Sequence, residues 1–217
     1  MRHETGAASE QTRARLLEAA REAFSQRGFQ GATVREICRR AEANVAAVNY
    51  HFGSKDGLLA EVLNFAPLAA MQLANIEAGG TPEMRLRRFI SDFMLMLLDE
   101  TNGSLPCRIM ARELADPTPA LDQIVREAIA PLHEFLGGLL REIIGAGAGS
   151  ERVGEAGLRR CMHSILGQCL YYRHSSPVLQ RLHPGLRYDR AEIEAIAAHI
   201  ADFSLAGIGH VSGQAGV

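Results

Sequence analysis

Apolar residues recur along this chain at spacings of three and four, and no segment alternates apolar and polar for more than a few positions. That periodicity predicts an all-α protein. Leu16, Ala20, Ala23 and Phe24 form the stripe of a first helix from about Thr12 to Arg27, which Gly28 ends because glycine enters a left-handed turn at little cost. Thr33 and Glu36, three apart as in a capping box, open a second helix with Val34, Ile37, Cys38 and Ala41 as its apolar positions. Glu42-Ala43-Asn44 interrupts the pattern. Asn44 then caps a helix from Val45 to Phe52, in which Val48 and Phe52 share a face, and Ser54 caps a fourth after Gly53.

Beyond residue 64 the helices lengthen. Thr81-Pro82 starts one with Leu86, Phe89, Ile90, Phe93 and Leu97 on a stripe, stopped by Asn102-Gly103. A shorter helix covers Leu105 to Ala115. After the Asp116–Pro119 break, the stripe Leu121, Ile124, Val125, Ala128, Leu132, Phe135, Leu139 and Ile143 runs through Pro131, which predicts one long kinked helix. Gly145 to Gly149 is a joint. Leu158, Cys161, Met162, Ile165, Cys169 and Tyr172 mark the next helix; Asp189, with Glu192 three further on, caps a last one carrying Ile193, Ile196, Ala197, Ile200 and Phe203.

Composition narrows the class. With 217 residues, 47% hydrophobic and 22% charged, the chain can build one large or two modest cores, so disordered and collagen-like classes are excluded. Four cysteines without a CxxC pair do not make a disulfide framework, and no apolar run approaches the ~18 residues of a membrane span. A cytoplasmic protein is expected. Net charge is −2, yet residues 13 to 55 hold eight basic side chains (Arg13, Arg15, Arg21, Arg27, Arg35, Arg39, Arg40, Lys55) against four glutamates, a local +4 that leaves −6 elsewhere. Such a split suits a small module facing a polyanion, joined to an acidic body with another task.

Two short helices joined by three residues form a helix-turn-helix, whose second helix enters the major groove of DNA. With Val48 and Phe52 turned inward, Val45, Ala46, Ala47, Asn49 and Tyr50 remain for the DNA. Small alanines admit thymine methyls, and an asparagine can pair with an adenine edge. Thr33, Tyr50, His51 and Lys55 are placed for phosphates. Periodicity alone leaves open that the three helices are only a packing unit, in a helical enzyme or in a protein-interaction module.

Thr33-Val34-Arg35-Glu36-Ile37, Ala41, and Val48-Asn49-Tyr50-His51-Phe52-Gly53-Ser54-Lys55-Asp56-Gly57-Leu58-Leu59 resemble the N-terminal domain of the TetR/AcrR family of transcriptional regulators. Arg112-Glu113-Leu114-Ala115-Asp116-Pro117-Thr118-Pro119 and Gly167-Gln168-Cys169-Leu170-Tyr171-Tyr172-Arg173-His174 are similar to the CecR/CerR-type C-terminal domain of one branch. The resemblance implies a DNA-binding domain over residues 1–60 and a helical ligand-binding and dimerisation domain over 61–217. It also implies a homodimeric repressor released from a palindromic operator by a small molecule. Carried over by position, Thr33 touches phosphate, Asn44 caps the recognition helix, Val45, Ala46, Ala47 and Asn49 face bases, and Tyr50, His51 and Lys55 grip the backbone. Glu42 departs from the pattern, standing where the family usually has the turn glycine.

Every internal methionine (Met71, Met84, Met94, Met96, Met110, Met162) lies between residues 71 and 162, among Phe89, Phe93, Phe135 and Tyr171, a composition suited to apolar ligands of varied shape. Phe89, Phe93, Met96, Met110 and Phe135 are the candidate lining, and Arg112, His163 and Gln168, with Arg108 and His133 on the same helices, are candidate polar anchors. Cys161 and His163 point to different helix faces, so no metal site is expected, and Gly145–Ser150 follows a helix rather than a strand, so it is a linker and not a phosphate loop. No catalytic constellation and no cofactor motif is present. The last helix and the Leu158–Tyr172 helix are expected to pair across a two-fold axis. The fourth helix, running from Ser54 past Pro67, is the expected lever between ligand and DNA.

Overall fold

The computed structural model describes residues 2–64, 76, 79–98, 104–145 and 148–213 and, of residues 2–7, 104–108 and 148–150, the backbone only. Among the described residues the secondary structure is helical, without a strand, and the chain forms two compact units. The first joins Met1–Phe65 to Leu105–Ala128; the second joins Ala66–Ser104 to Ile129–Val217.

In the first unit α1 (Arg2–Gly31) begins well before Thr12 and breaks at Gly28, where φ is 69° and ψ 178°, before one further turn. It packs on α2 (Val34–Arg40), α3 (Val45–Phe52) and α4 (Lys55–Val62). Leu16, Ala20, Phe24, Ile37, Val48 and Leu58 are fully buried there. The stripes therefore face inward, as their spacing requires. Ser54 accepts from the Gly57 N–H at 3.0 Å to cap α4, and a Cβ at Gly57 would stand 2.1 Å from the Phe52 carbonyl oxygen, so only glycine lets α4 start this close to α3. The unit is completed by α6 (Ser104–Ala115) and α7 (Ala120–Ile124), the latter packed on α4.

The second unit is built from α5 (Pro82–Leu98), α8 (Ala130–Ile144), α9 (Ala148–His174), the short α10 (Ser176–Leu182) and α11 (Arg190–Ser212). α11 packs on α5 and α9, burying Ile193, Ile196, Ala197 and Ile200 against the chain's own core. The kink foreseen at Pro131 takes the form of a π-helical turn, Val125–Ile129, between α7 and α8. A proline lacks the N–H that would continue the ladder, and its ring crowds the carbonyl four residues back, here Glu127 inside that turn. Pro67, Met71 and the Asn102-Gly103 stop lie outside the described residues, as does the Arg108 side chain.

Candidate nucleic-acid interface

The geometry of the candidate face begins with how α2 ends. Ala43 N–H bonds to Cys38 O at 2.9 Å and Glu42 N–H to Arg39 O at 3.4 Å, the paired bonds of a Schellman motif. Its left-handed residue is Glu42, at φ 50°, the one non-glycine residue with positive φ among those described. Glu42 nevertheless turns outward, with its side chain 86% exposed and one oxygen 3.8 Å from Arg15. Asn44 then accepts from Ala46 N–H at 2.9 Å, so its side chain is committed to capping α3.

On α3, Val48 and Phe52 are buried, while Val45, Ala46, Asn49 and Tyr50 stand on one contiguous exposed face, Tyr50 at 80% exposure. Ala47 is half-buried beside them. His51 is half-buried and meets the Tyr50 ring edge-on at 4.8 Å. Thr33 caps α2, accepting from Glu36 N–H at 3.2 Å. The reciprocal half of the capping box is not what occupies Glu36: its carboxylate accepts from Arg27 at 2.7 Å and Arg40 at 2.8 Å, charged donors that outcompete a neutral N–H.

Those pairs change the electrostatic picture. Arg13 pairs with Glu61 at 2.6 Å, Arg15 with Glu42, Arg21 with Glu18, and Arg27 and Arg40 with Glu36. Lys55 donates to Phe29 O and sits 4.1 Å over the Phe29 ring; partial burial pulls its pKa below the usual lysine value, with Asp56 opposing. Arg35 and Arg39, one turn apart on the exposed side of α2, make no ion pair among the described residues. They are the free cations that sequence counting does not single out. Their outward (i, i+4) positions opposite Ile37 and Cys38 are the signal that could have found them.

The ligand candidates divide between the units. In the second, Phe89 is buried, stacks on Phe93 with ring centroids 6.0 Å apart and meets Phe135 in a tilted arrangement at 5.9 Å; Phe93, Met96 and Phe135 are half-buried. His163 is exposed with its ring 5.9 Å from His133. Gln168 donates to Ser164 O and Ser204 Oγ, and lines a groove of about 330 Å³ between α9 and α11 together with Cys161, Phe203, Gly207 and Val211. Met110 and Arg112 stand on α6 in the first unit, where Arg112 donates to two carbonyls of α1. Cys169 is a packing residue, its thiol pushed up to about 12 by burial.

Comparison with known proteins gives matches over both parts of the chain. Residues 16–62 match the family model of bacterial regulatory proteins of the tetR family, and residues 82–208 match the C-terminal domain of the HTH-type transcriptional dual regulator CecR. The chain is 29% identical to the dual regulator CecR of Shigella flexneri over 76% of both chains, and 32% identical to the regulator SrpR of Pseudomonas putida over 48% of this chain and 46% of that one. Its fold resembles that of the transcriptional regulator FadR of Bacillus subtilis, solved with stearoyl-CoA, at a TM-score of 0.64 and 17% identity, covering 89% of this chain and 98% of that one.

Proposed function

Because the chain belongs to the TetR family of transcriptional regulators, in the branch with the CecR-type C-terminal domain, it is a DNA-binding regulator, and we propose that it is a ligand-responsive repressor acting as a homodimer on a palindromic operator. The observation that carries this reading is the exposed face of α3. Buried Val48 and Phe52 hold the helix, and Val45, Ala46, Asn49 and Tyr50 are left facing outward. Asn49 reads an adenine edge, the small apolar residues approach thymine methyls, and Arg35 and Arg39 join Thr33, Tyr50 and His51 at the phosphates.

A two-fold arrangement draws support from the α9–α11 groove. Phe203 at 64% exposure and Val211 at 45% project beside it, large apolar side chains that a second copy would cover. Two-fold symmetry in the protein calls for two-fold symmetry in the operator. The clustered rings of Phe89, Phe93 and Phe135 suit an apolar or amphipathic effector, one that binds the DNA-released conformation better and so lowers operator affinity. The site of action is the cytoplasm, and catalysis forms no part of the reading; among the described residues no helix is long and apolar enough to cross a membrane.

A gel shift against the DNA upstream of its own gene, at two salt concentrations, tests this. A specific, salt-sensitive shift is expected, with Asn49→Ala costing ~1–3 kcal/mol and relaxing preference at one base position. Equal retention of operator and random duplex by the wild type overturns it.

A further inference from the structure

The Arg112–Pro119 motif has no place in DNA reading as described so far, yet it is among the most heavily engaged segments of the first unit. The Arg112 Nη1 donates to Phe24 O at 3.2 Å and Ser25 O at 2.9 Å, in the last turn of α1 before the Gly28 break. Carbonyls at a helix end carry the negative pole of the helix dipole, so a guanidinium is the charge that belongs there. The guanidinium also lies against Gly28, where a Cβ would come within 3.7 Å of it. On the other side of the break Lys55, from the first turn of α4, holds Phe29 O and covers the Phe29 ring. Two cations from two different helices therefore fix the two sides of one joint. Next to Arg112, Glu113 is 4% exposed and accepts from Thr118 N–H at 2.7 Å and Thr118 Oγ1 at 2.8 Å, which ties α6 to α7, and α7 packs on α4.

We propose that Arg112 is a positioning residue for DNA recognition, acting from α6 through α1 on the DNA-reading helix α3. The inference rests on the assignment of α3 as the DNA-reading helix. Loss of the Arg112 guanidinium removes both N–H···O bonds together, leaves the Phe24 and Ser25 carbonyls without their cation, and loosens the Gly28–Phe29 joint that Lys55 holds from α4. Because α1 packs directly on α3, an end of α1 that is no longer fixed leaves α3 without a fixed bearing on the groove.

The test compares wild type, Arg112→Gln and Arg112→Lys, with Arg126→Gln as an exposed control, on a DNA duplex that the wild type selects from a random pool. Hydrogen exchange is followed over residues 24–32. In Arg112→Gln, exchange there accelerates and affinity for the selected duplex falls about tenfold while random-sequence affinity holds, since a charge-assisted pair of bonds is lost. Arg112→Lys, which keeps the cation with a single donor group, recovers part of both effects, and thermal melting shows all variants folded. Unchanged exchange over 24–32 in Arg112→Gln, or an unchanged ratio of selected to random affinity, overturns the proposal. Should Arg112→Gln fail to fold, the Arg112→Lys result decides by the same two criteria. A wild type that selects no sequence removes the DNA-reading assignment instead, and the exchange arm then decides by itself whether Arg112 ties α6 to α1.

Discussion

At position 42 the backbone takes a conformation that glycine fills at lower cost than glutamate. A side chain at φ 50° costs roughly 1–2 kcal/mol, and the exposed pair with Arg15 at 3.8 Å returns less than about 1 kcal/mol. Glu42→Gly is expected to raise stability by about 0.5–1 kcal/mol, the relief of strain being reduced by the larger unfolded-state entropy of glycine. It also removes a negative charge from the turn ahead of α3, so DNA affinity rises most at low salt. A denaturant midpoint below that of wild type would sink this account. The caps were legible in the sequence residue by residue: Thr33, Asn44, Ser54 and Asp189 each accept from the backbone N–H that their spacing indicates. What spacing could not show is competition. Glu36 had three possible donors, and the two arginines arrive from α1 and from its own helix only once the fold exists.

Among whole helices the same distinction returns. The apolar stripe of α11 was readable, but a stripe does not say what covers it. Ile200 was expected at a dimer interface, and it is 1% exposed inside its own chain, because α5 and α9 occupy that face; the outward residues are Phe203 and Val211. Ile200→Glu is therefore expected to unfold the second unit, since an unpaired carboxylate in a core costs several kcal/mol. Phe203→Glu leaves the far-ultraviolet spectrum intact and yields monomers. A Phe203→Glu protein that still sediments as a dimer places the interface elsewhere. Pro131 shows a related limit: its chemistry forecast a disturbed helix but not the form of the disturbance, which is a π-helical turn at Val125–Ile129.

For the molecule as a whole, the local +4 was a correct count and an incomplete description. Five of the eight basic side chains between residues 13 and 55 are matched by carboxylates, and Lys55 is held by Phe29. Among the described residues this leaves Arg35 and Arg39 as the unpaired arginines of the segment, so two copies on one operator, as proposed, release few counterions, and the expected slope of log affinity against log salt is about −4. A slope steeper than about −8 would mean that the internal pairs open on DNA. The matched charges also bear on how such a protein finds its address in a chromosome. Random DNA competes only through its phosphates, so encounters with the wrong sequence are brief, and the decoy capacity of the genome is low for this protein. Few copies per cell then suffice to keep one site occupied, and the time spent searching, rather than the time spent trapped, sets how quickly a vacated site is filled again.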